Sequence, residues 1–256
     1  MHLKEWLEKR RLFMDDPQRA TTFGLAFPRG VLLVGVPGCG KSLCAKAVAT
    51  AWGLPLVRLD PAALYDKYIG ETEHNFSKAM AEADRFSPLV LWIDEIEKAF
   101  AAGGDADSGT SQRVLGTFLS WLQERHGDVF VVATANDVER LPAELLRKGR
   151  FDEMFFVDLP DAAARKLIFA IHLRRRKQDP DRFDLTSLAG ESEGYSGAEL
   201  EQVVVSALYT AFGQNGQLTT DLLRQELKST PSVSCTAREK IALVRAWAEG
   251  RTVPAN

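Results

Sequence analysis

Eight consecutive residues, Gly35-Val36-Pro37-Gly38-Cys39-Gly40-Lys41-Ser42, fit the pattern G-x-x-x-x-G-K-[ST]. Each residue type there suits contact with phosphate. Glycines let the backbone turn several N–H groups toward one anion, and the start of the helix that follows favours negative charge. Lys41 is placed to reach terminal phosphates, and the Ser42 hydroxyl is a ligand for Mg²⁺. A plain glycine-rich turn is the bland alternative. The pattern nevertheless follows an apolar β-branched run and precedes the helical stretch Leu43 to Trp52, which is the placement the chemistry requires.

Two acids, Asp94 and Glu95, end the apolar run Val90-Leu91-Trp92-Ile93. At the carboxyl edge of a parallel sheet, where ligands of open α/β folds bind, Asp94 can hold the metal and its water shell. Glu95 is then placed to polarise a water against the γ-phosphate as general base. A helix-start acid pair is the structural alternative. Asn136 ends another apolar run, Val131-Val132-Ala133-Thr134-Ala135, where it can orient that water or form a turn. Arg147 and Arg150, in Arg147-Lys148-Gly149-Arg150-Phe151-Asp152, offer guanidinium groups suited to charge spread over a transferring phosphoryl group, or to surface ion pairs.

These residues need a scaffold, and the hydrophobic pattern supplies one. Five short β-branched runs read as strands: Val31 to Gly35, Leu56 to Asp60, Val90 to Asp94, Val129 to Thr134 and Phe155 to Asp158. Helical spacing separates them, with Phe76, Ala79, Met80 and Ala83 in one interval and Val114, Leu115, Phe118, Leu119 and Leu122 in another. Alternating strands and helices predict an α/β fold, a mainly parallel sheet with helices on both faces. Leu3, Trp6 and Leu7 suit an amphipathic helix packing on it. Beyond Asp158-Leu159-Pro160-Asp161 only helical patterns remain, so we place a boundary there: residues 1–158 as the α/β domain and 159–256 as an all-helical domain. Ser196-Gly197-Ala198-Glu199 reads as a capping box opening a helix through Leu200, Val203, Val204, Ala207, Leu208 and Ala211.

Composition narrows the partners. The 256 residues are 45% hydrophobic and 26% charged, and 32 Lys and Arg against 35 Asp and Glu leave a net charge of −3. That supports a buried core and disfavours disorder. It gives no sequence-wide attraction to nucleic acid or to an anionic membrane, and Arg174-Arg175-Arg176-Lys177 reads as a solvated helix end. No run approaches the roughly 18 apolar residues that cross a bilayer. Cys39, Cys44 and Cys235 lack metal or disulfide spacing, and His74 and His126 lack companion ligands. A soluble chain of a reducing compartment is expected.

Taken together, these motifs and their order resemble the AAA family of P-loop ATPases along essentially the whole chain. Gly35 to Ser42 looks like Walker A, Val90 to Glu95 like Walker B, Asn136 like sensor 1, and Arg147 and Arg150 like paired arginine fingers. The resemblance implies an AAA large domain, a parallel P-loop NTPase sheet, followed by a small helical lid. It implies ATP and Mg²⁺, with Pro37, Gly38, Cys39, Gly40, Lys41, Ser42 and Leu43 around the nucleotide and Ser42 and Asp94 at the metal. His172, in a segment similar to the first lid helix, and Gly197 and Ala198, in a segment similar to the lid's nucleotide-facing turn, join that set. Fingers in this family act on the neighbouring subunit, which implies a homo-oligomeric ring, usually a hexamer. Lys67, Tyr68 and Ile69 look like the pore loop that grips a polypeptide, and the Gly- and Asp-rich stretch 101–111 is expected to face the same pore.

Within the family the runs around Cys39, Glu95 and Asn136 look most like an AAA group of cyanobacteria, plastid genomes and other bacteria, which places the chain in the cytoplasm or the plastid stroma. Lys148 stands where many members have proline, and Asp137 where Arg is commoner. The family's adenine-contacting segment before the first helix has no counterpart, so the sequence reads as a fragment of a longer protein. The expected function is Mg²⁺-dependent ATP hydrolysis coupled to remodelling or threading of an unidentified protein. A nucleotide-dependent binding switch without threading is the alternative, and a nucleic-acid motor is the disfavoured third.

Overall fold

The computed structural model describes residues 3–60, 71–101, 108–125 and 127–255. Among these, contacts divide the chain into two compact units, one made of residues 1–35, 41–157 and 247–256 and the other of 36–40 and 158–246.

The first unit is built on a sheet of six parallel strands: β1 Gly30–Gly35, β2 Leu56–Leu59, β3 Leu89–Ile93, β4 Val129–Ala135, β5 Glu153–Val157 and β6 Val253–Pro254. Their spatial order is β2-β3-β4-β1-β5-β6. Central strands β1, β3 and β4 are buried along their whole length, as expected for strands covered on both faces. Helices α1 (Leu3–Asp15), α2 (Pro17–Thr22), α3 (Lys41–Trp52), α4 (Glu71–Arg85), α5 (Glu97–Ala101) and α6 (Ser108–Glu124) belong to this unit. Trp6 of α1 is 1% exposed and meets Phe155 edge-on at 5.8 Å, so the opening amphipathic helix is seated by one large aromatic.

The second unit is helical: α7 (Ala162–Arg175), α8 (Leu185–Glu191), α9 (Gly197–Gly213), α10 (Thr220–Ser229), α11 (Val233–Thr236) and most of α12 (Arg238–Ala248). Leu200, Val203, Val204 and Ala207 of α9 are fully buried against Phe169 and Leu173 of α7 and Leu223 and Leu227 of α10. The Ser196 hydroxyl and the Glu199 carboxylate cap each other's backbone, the capping box read from the sequence.

Two features differ from the sequence reading. Where the sequence pattern predicts only helices, Val253–Pro254 adds a sixth strand beside β5, and the described residues from 247 onward belong to the α/β unit. A two-residue strand ending in proline has no periodicity to read and is admissible only at an edge. Strand β2 is also an edge, so Val57 and Arg58 are exposed where a buried run was expected.

Candidate functional site

The phosphate-loop pattern leaves β1 and enters α3 as the sequence predicts. Gly38 and Gly40 have φ of 76° and 88°, a left-handed backbone that residues with a Cβ resist. Gly38 has a second constraint, because its carbonyl accepts the Ala198 N–H at 3.0 Å and a Cβ there would lie 3.0 Å from Ser196 Oγ. The loop segment 36–40 therefore packs with the start of α9, and Gly197 and Ala198 are brought to it. Lys41 is 5% exposed, and its ammonium donates to the Gly35 carbonyl at 2.9 Å. The Cys39 thiol is partly exposed, and Leu43 points outward, 56% exposed.

A continuous hydrogen-bonded path runs from Ser42 across the carboxyl edges of β3 and β4. Ser42 Oγ donates to Asp94 Oδ1 at 2.9 Å, and Thr134 Oγ1 donates to the same oxygen at 2.6 Å. Thr134 Oγ1 in turn accepts the Glu95 N–H at 3.0 Å, while its carbonyl accepts the Ile96 N–H at 2.9 Å. Glu95 needs that anchorage, because its φ is 51°, a conformation costing about 1–3 kcal/mol outside glycine. The Glu95 carboxylate receives Asn136 Nδ2 on Oε1 at 2.9 Å and pairs through Oε2 with the Lys98 ammonium. Beneath it Glu97, 3% exposed, accepts the Asn136 and Asp137 N–H groups on Oε1 at 2.9 and 3.2 Å. Burial pushes the Glu97 carboxyl above its ordinary range; the two backbone donors and the negative Glu95 act in opposite directions on it.

The structure thus gathers Ser42, Asp94, Glu95 and Asn136, and adds Thr134, Glu97 and Lys98, to which the sequence reading gave no role. Ser42 Oγ and the Asp94 carboxylate are adjacent hard oxygens, a donor pair that suits Mg²⁺ completed by water and phosphate. Among the described residues no cluster of three His, Cys, Asp or Glu is placed to hold a metal ion.

Arg147 and Arg150 are not part of this cluster. They precede β5, at the edge of the sheet where the parallel strands begin, separated from the phosphate-loop edge by the length of a five-residue strand, roughly 15 Å. Arg147 is exposed, and Arg150 donates through Nη1 to the Leu119 carbonyl of α6. The turn that carries them is tied down by Arg29, whose guanidinium binds the Gly149 carbonyl, and by Asp152, which accepts the Arg29 and Gly30 N–H groups at 2.7 and 3.1 Å. Arg125 donates to the Arg29 carbonyl, and burial lowers its guanidinium to about 10.

In the helical unit, His172 sits on α7 with Nδ1 3.4 Å from Glu201 Oε1, and Arg176 Nη2 binds the same oxygen at 2.9 Å. Burial lowers the imidazole pKa more than Glu201 raises it. Ile168, one turn earlier on α7, lies 3.7 Å from where a Cβ on Gly197 would stand. Lys67, Tyr68 and Ile69, and most of the stretch 101–111, lie outside the described residues.

With this geometry in place, comparison with known proteins is specific. Residues 31–159 match the model of the ATPase family associated with various cellular activities (AAA), and residues 182–222 match an AAA+ lid domain. An uncharacterized AAA domain-containing protein ycf46 of Trieres chinensis is 46% identical over 96% of the chain and 50% of its own length. An ATP-dependent zinc metalloprotease FtsH 3 of Sphaerobacter thermophilus is 33% identical over 94% of the chain and 51% of its own. A proteasome-activating nucleotidase of Aeropyrum pernix is 35% identical over 85% of the chain and 54% of its own. The chain spans about half the length of these curated relatives. Its α/β sheet with a helical lid, its phosphate loop and its matched sequence agree: the chain belongs to the AAA family of ATPases.

Proposed function

We propose that the chain hydrolyses Mg²⁺-ATP and couples the reaction to remodelling or threading of a protein partner within a homo-oligomeric, six-membered ring. The observation that carries the hydrolytic part is the path Ser42–Asp94–Thr134–Glu95–Asn136, which gathers a hydroxyl, two carboxylates and an amide at one sheet edge and so supports a metal-binding pair beside a general base. In this reading the nucleotide-binding set is Pro37 to Leu43, the backbone N–H groups from Gly38 onward and the Lys41 ammonium holding the phosphates, together with Gly197, Ala198 and His172. Mg²⁺ bound by Ser42 and Asp94 supplies charge neutralisation for the β- and γ-phosphates. Glu95 takes the proton of the attacking water, and Asn136 fixes the direction in which Glu95 points.

The position of the arginines supports the ring. Arg147 and Arg150 stand at the far edge of their own sheet, away from their own phosphate loop, which favours service to a neighbour's transferring phosphoryl group. The names of two relatives, a proteasome-activating nucleotidase and an ATP-dependent metalloprotease, support work on proteins rather than nucleic acid. In this reading Lys67, Tyr68 and Ile69 contact the polypeptide. No helix among the described residues is long and apolar enough to cross a membrane. The proposed site of action is the cytoplasm or the plastid stroma, a reading supported by the likeness to ycf46 proteins.

The test is the specific rate of Mg²⁺-ATP hydrolysis across a wide range of protein concentration, with sizing in parallel. A specific rate that climbs as oligomers form supports a site completed between subunits. Arg150→Ala then binds nucleotide normally, yet loses about 10³-fold in turnover. Mixing it with Glu95→Gln subunits restores activity at mixed interfaces. A monomer with full turnover refutes the trans role. Bound nucleotide with no hydrolysis at any concentration favours the switch reading.

A further inference from the structure

Glu97 is the unusual side chain of this site. It is 3% exposed, and a carboxylate so placed is costly unless its oxygens are matched by donors. Only one oxygen is matched. Oε1 accepts the N–H groups of Asn136 and Asp137, whereas Oε2 is buried with no hydrogen-bond partner among the described residues. A core chosen for stability alone would fill this position with an apolar side chain of similar volume. What the carboxylate achieves is specific: it stands at the first turn of α5, two residues past Glu95 in the turn that follows β3, and grips the backbone where β4 ends. That backbone carries Asn136, whose amide Nδ2 meets Glu95 Oε1 at 2.9 Å.

We propose that Glu97 is a positioning residue for hydrolysis, clamping the main chain of Asn136 and Asp137 so that the Asn136 amide stays aimed at Glu95. The inference rests on the hydrolytic reading of Glu95 and Asn136. Strand β4 leaves the sheet after Ala135, and its next two N–H groups have no strand partner to receive them. Without an acceptor they would turn toward water and carry the Asn136 side chain with them. Two convergent N–H bonds to one carboxylate oxygen fix both position and direction, which a single neutral bond does not.

The experiment compares Glu97→Met, which keeps the volume and removes the acceptors, with Glu97→Gln, whose amide oxygen still accepts both N–H groups. Each is made in the full chain, alone and in an Asn136→Ala background. Turnover number and KM for Mg²⁺-ATP, the Kd of a fluorescent ATP analogue and the melting temperature are measured for each. A positioning role predicts that Glu97→Met lowers kcat about 10- to 100-fold, with the nucleotide Kd within about threefold of the parent. It predicts that Glu97→Gln recovers most of the loss, and that Glu97→Met costs less than about twofold once Asn136 is already Ala. Should Glu97→Met not fold, Glu97→Ala, whose cavity admits water, carries the same comparison. Parallel loss of nucleotide binding and turnover in either variant overturns the proposal, as does a full loss that persists in the Asn136→Ala background. Parent-level kcat in Glu97→Met, with Asn136→Ala impaired, overturns it while leaving the hydrolytic reading intact. Parent-level kcat in Asn136→Ala overturns both.

Discussion

Replacing Thr134 by Val tests whether one hydroxyl organises both acids. The two side chains have the same shape, Thr134 is 1% exposed, and the substitution removes only the oxygen that joins Asp94 to the Glu95 backbone. Two costs follow. The Glu95 N–H loses its acceptor inside a covered turn, worth about 1–3 kcal/mol. Asp94 loses one charge-assisted donor but keeps Ser42 at 2.9 Å and partial access to water, so the low end of the range for charged bonds applies, about 1.5 kcal/mol. Together these give about 3 kcal/mol, a fall of about 6–12 °C in melting temperature for a chain of this size. Turnover falls further than stability alone requires, because the positive φ of Glu95 is held by the bond that has gone. Without it the backbone relaxes and the carboxylate leaves Asn136, for an expected loss of about 10- to 100-fold in kcat. Thermal melts without nucleotide and steady-state hydrolysis with saturating Mg²⁺-ATP read the two effects separately. A melting temperature within 1–2 °C of the parent, together with unchanged kcat, would refute the reasoning at both steps.

Further outcomes are expected from the same geometry. Glu95→Gln keeps nucleotide affinity within a few-fold, as judged by equilibrium binding, while hydrolysis falls by about 10²–10⁴, since the amide still meets Asn136 but takes no proton. Burial pushes the Cys44 thiol up to about 12, so under native conditions at pH 8 mass-spectrometric alkylation kinetics show it reacting at least about tenfold more slowly than exposed Cys235. Glu97 has a folded pKa raised above its unfolded value, so the native state takes up a proton before the unfolded state does as pH falls, and stability rises on acidification through the folded pKa. Glu97→Gln lacks that proton uptake. It is expected to melt above the parent at neutral pH and to lose the advantage as pH falls toward the ordinary glutamate range, read by melts across pH 4–8.

What the sequence discloses depends on the distance over which a role is defined. The phosphate loop is contiguous, so its glycines, Lys41 and Ser42 announce themselves, and the strand before it and the helix after it are fixed by short-range pattern. Asp94, Glu95 and Asn136 are legible as polar ends of apolar runs. Thr134 is not, because its importance arises only when β3 and β4 pair in parallel with Ile93 opposite Ala133, which sets Thr134 beside the acids. Glu97 looks like an ordinary helix-start acid until its burial is known. Arg29 and Asp152 stand far apart in sequence and meet only because β1 and β5 are neighbours. Strand β6 is too short to register at all, and its pairing reflects what lies beside it rather than anything in Val253 and Pro254 themselves.

That last strand bears on how the molecule is made. The Leu3 N–H donates to the Ala255 carbonyl at 3.2 Å, and Ala255 N–H donates to Phe156, so the two ends of this stretch meet on the same sheet. During synthesis the long segment 158–246 emerges as an uninterrupted helical block rich in local contacts, able to fold while it is being extended. The sheet waits for its final edge until that block has left the ribosome. Completion of the ATPase unit is therefore a late, long-range event, and the nascent chain carries an unpaired β5 edge until β6 arrives to cover it.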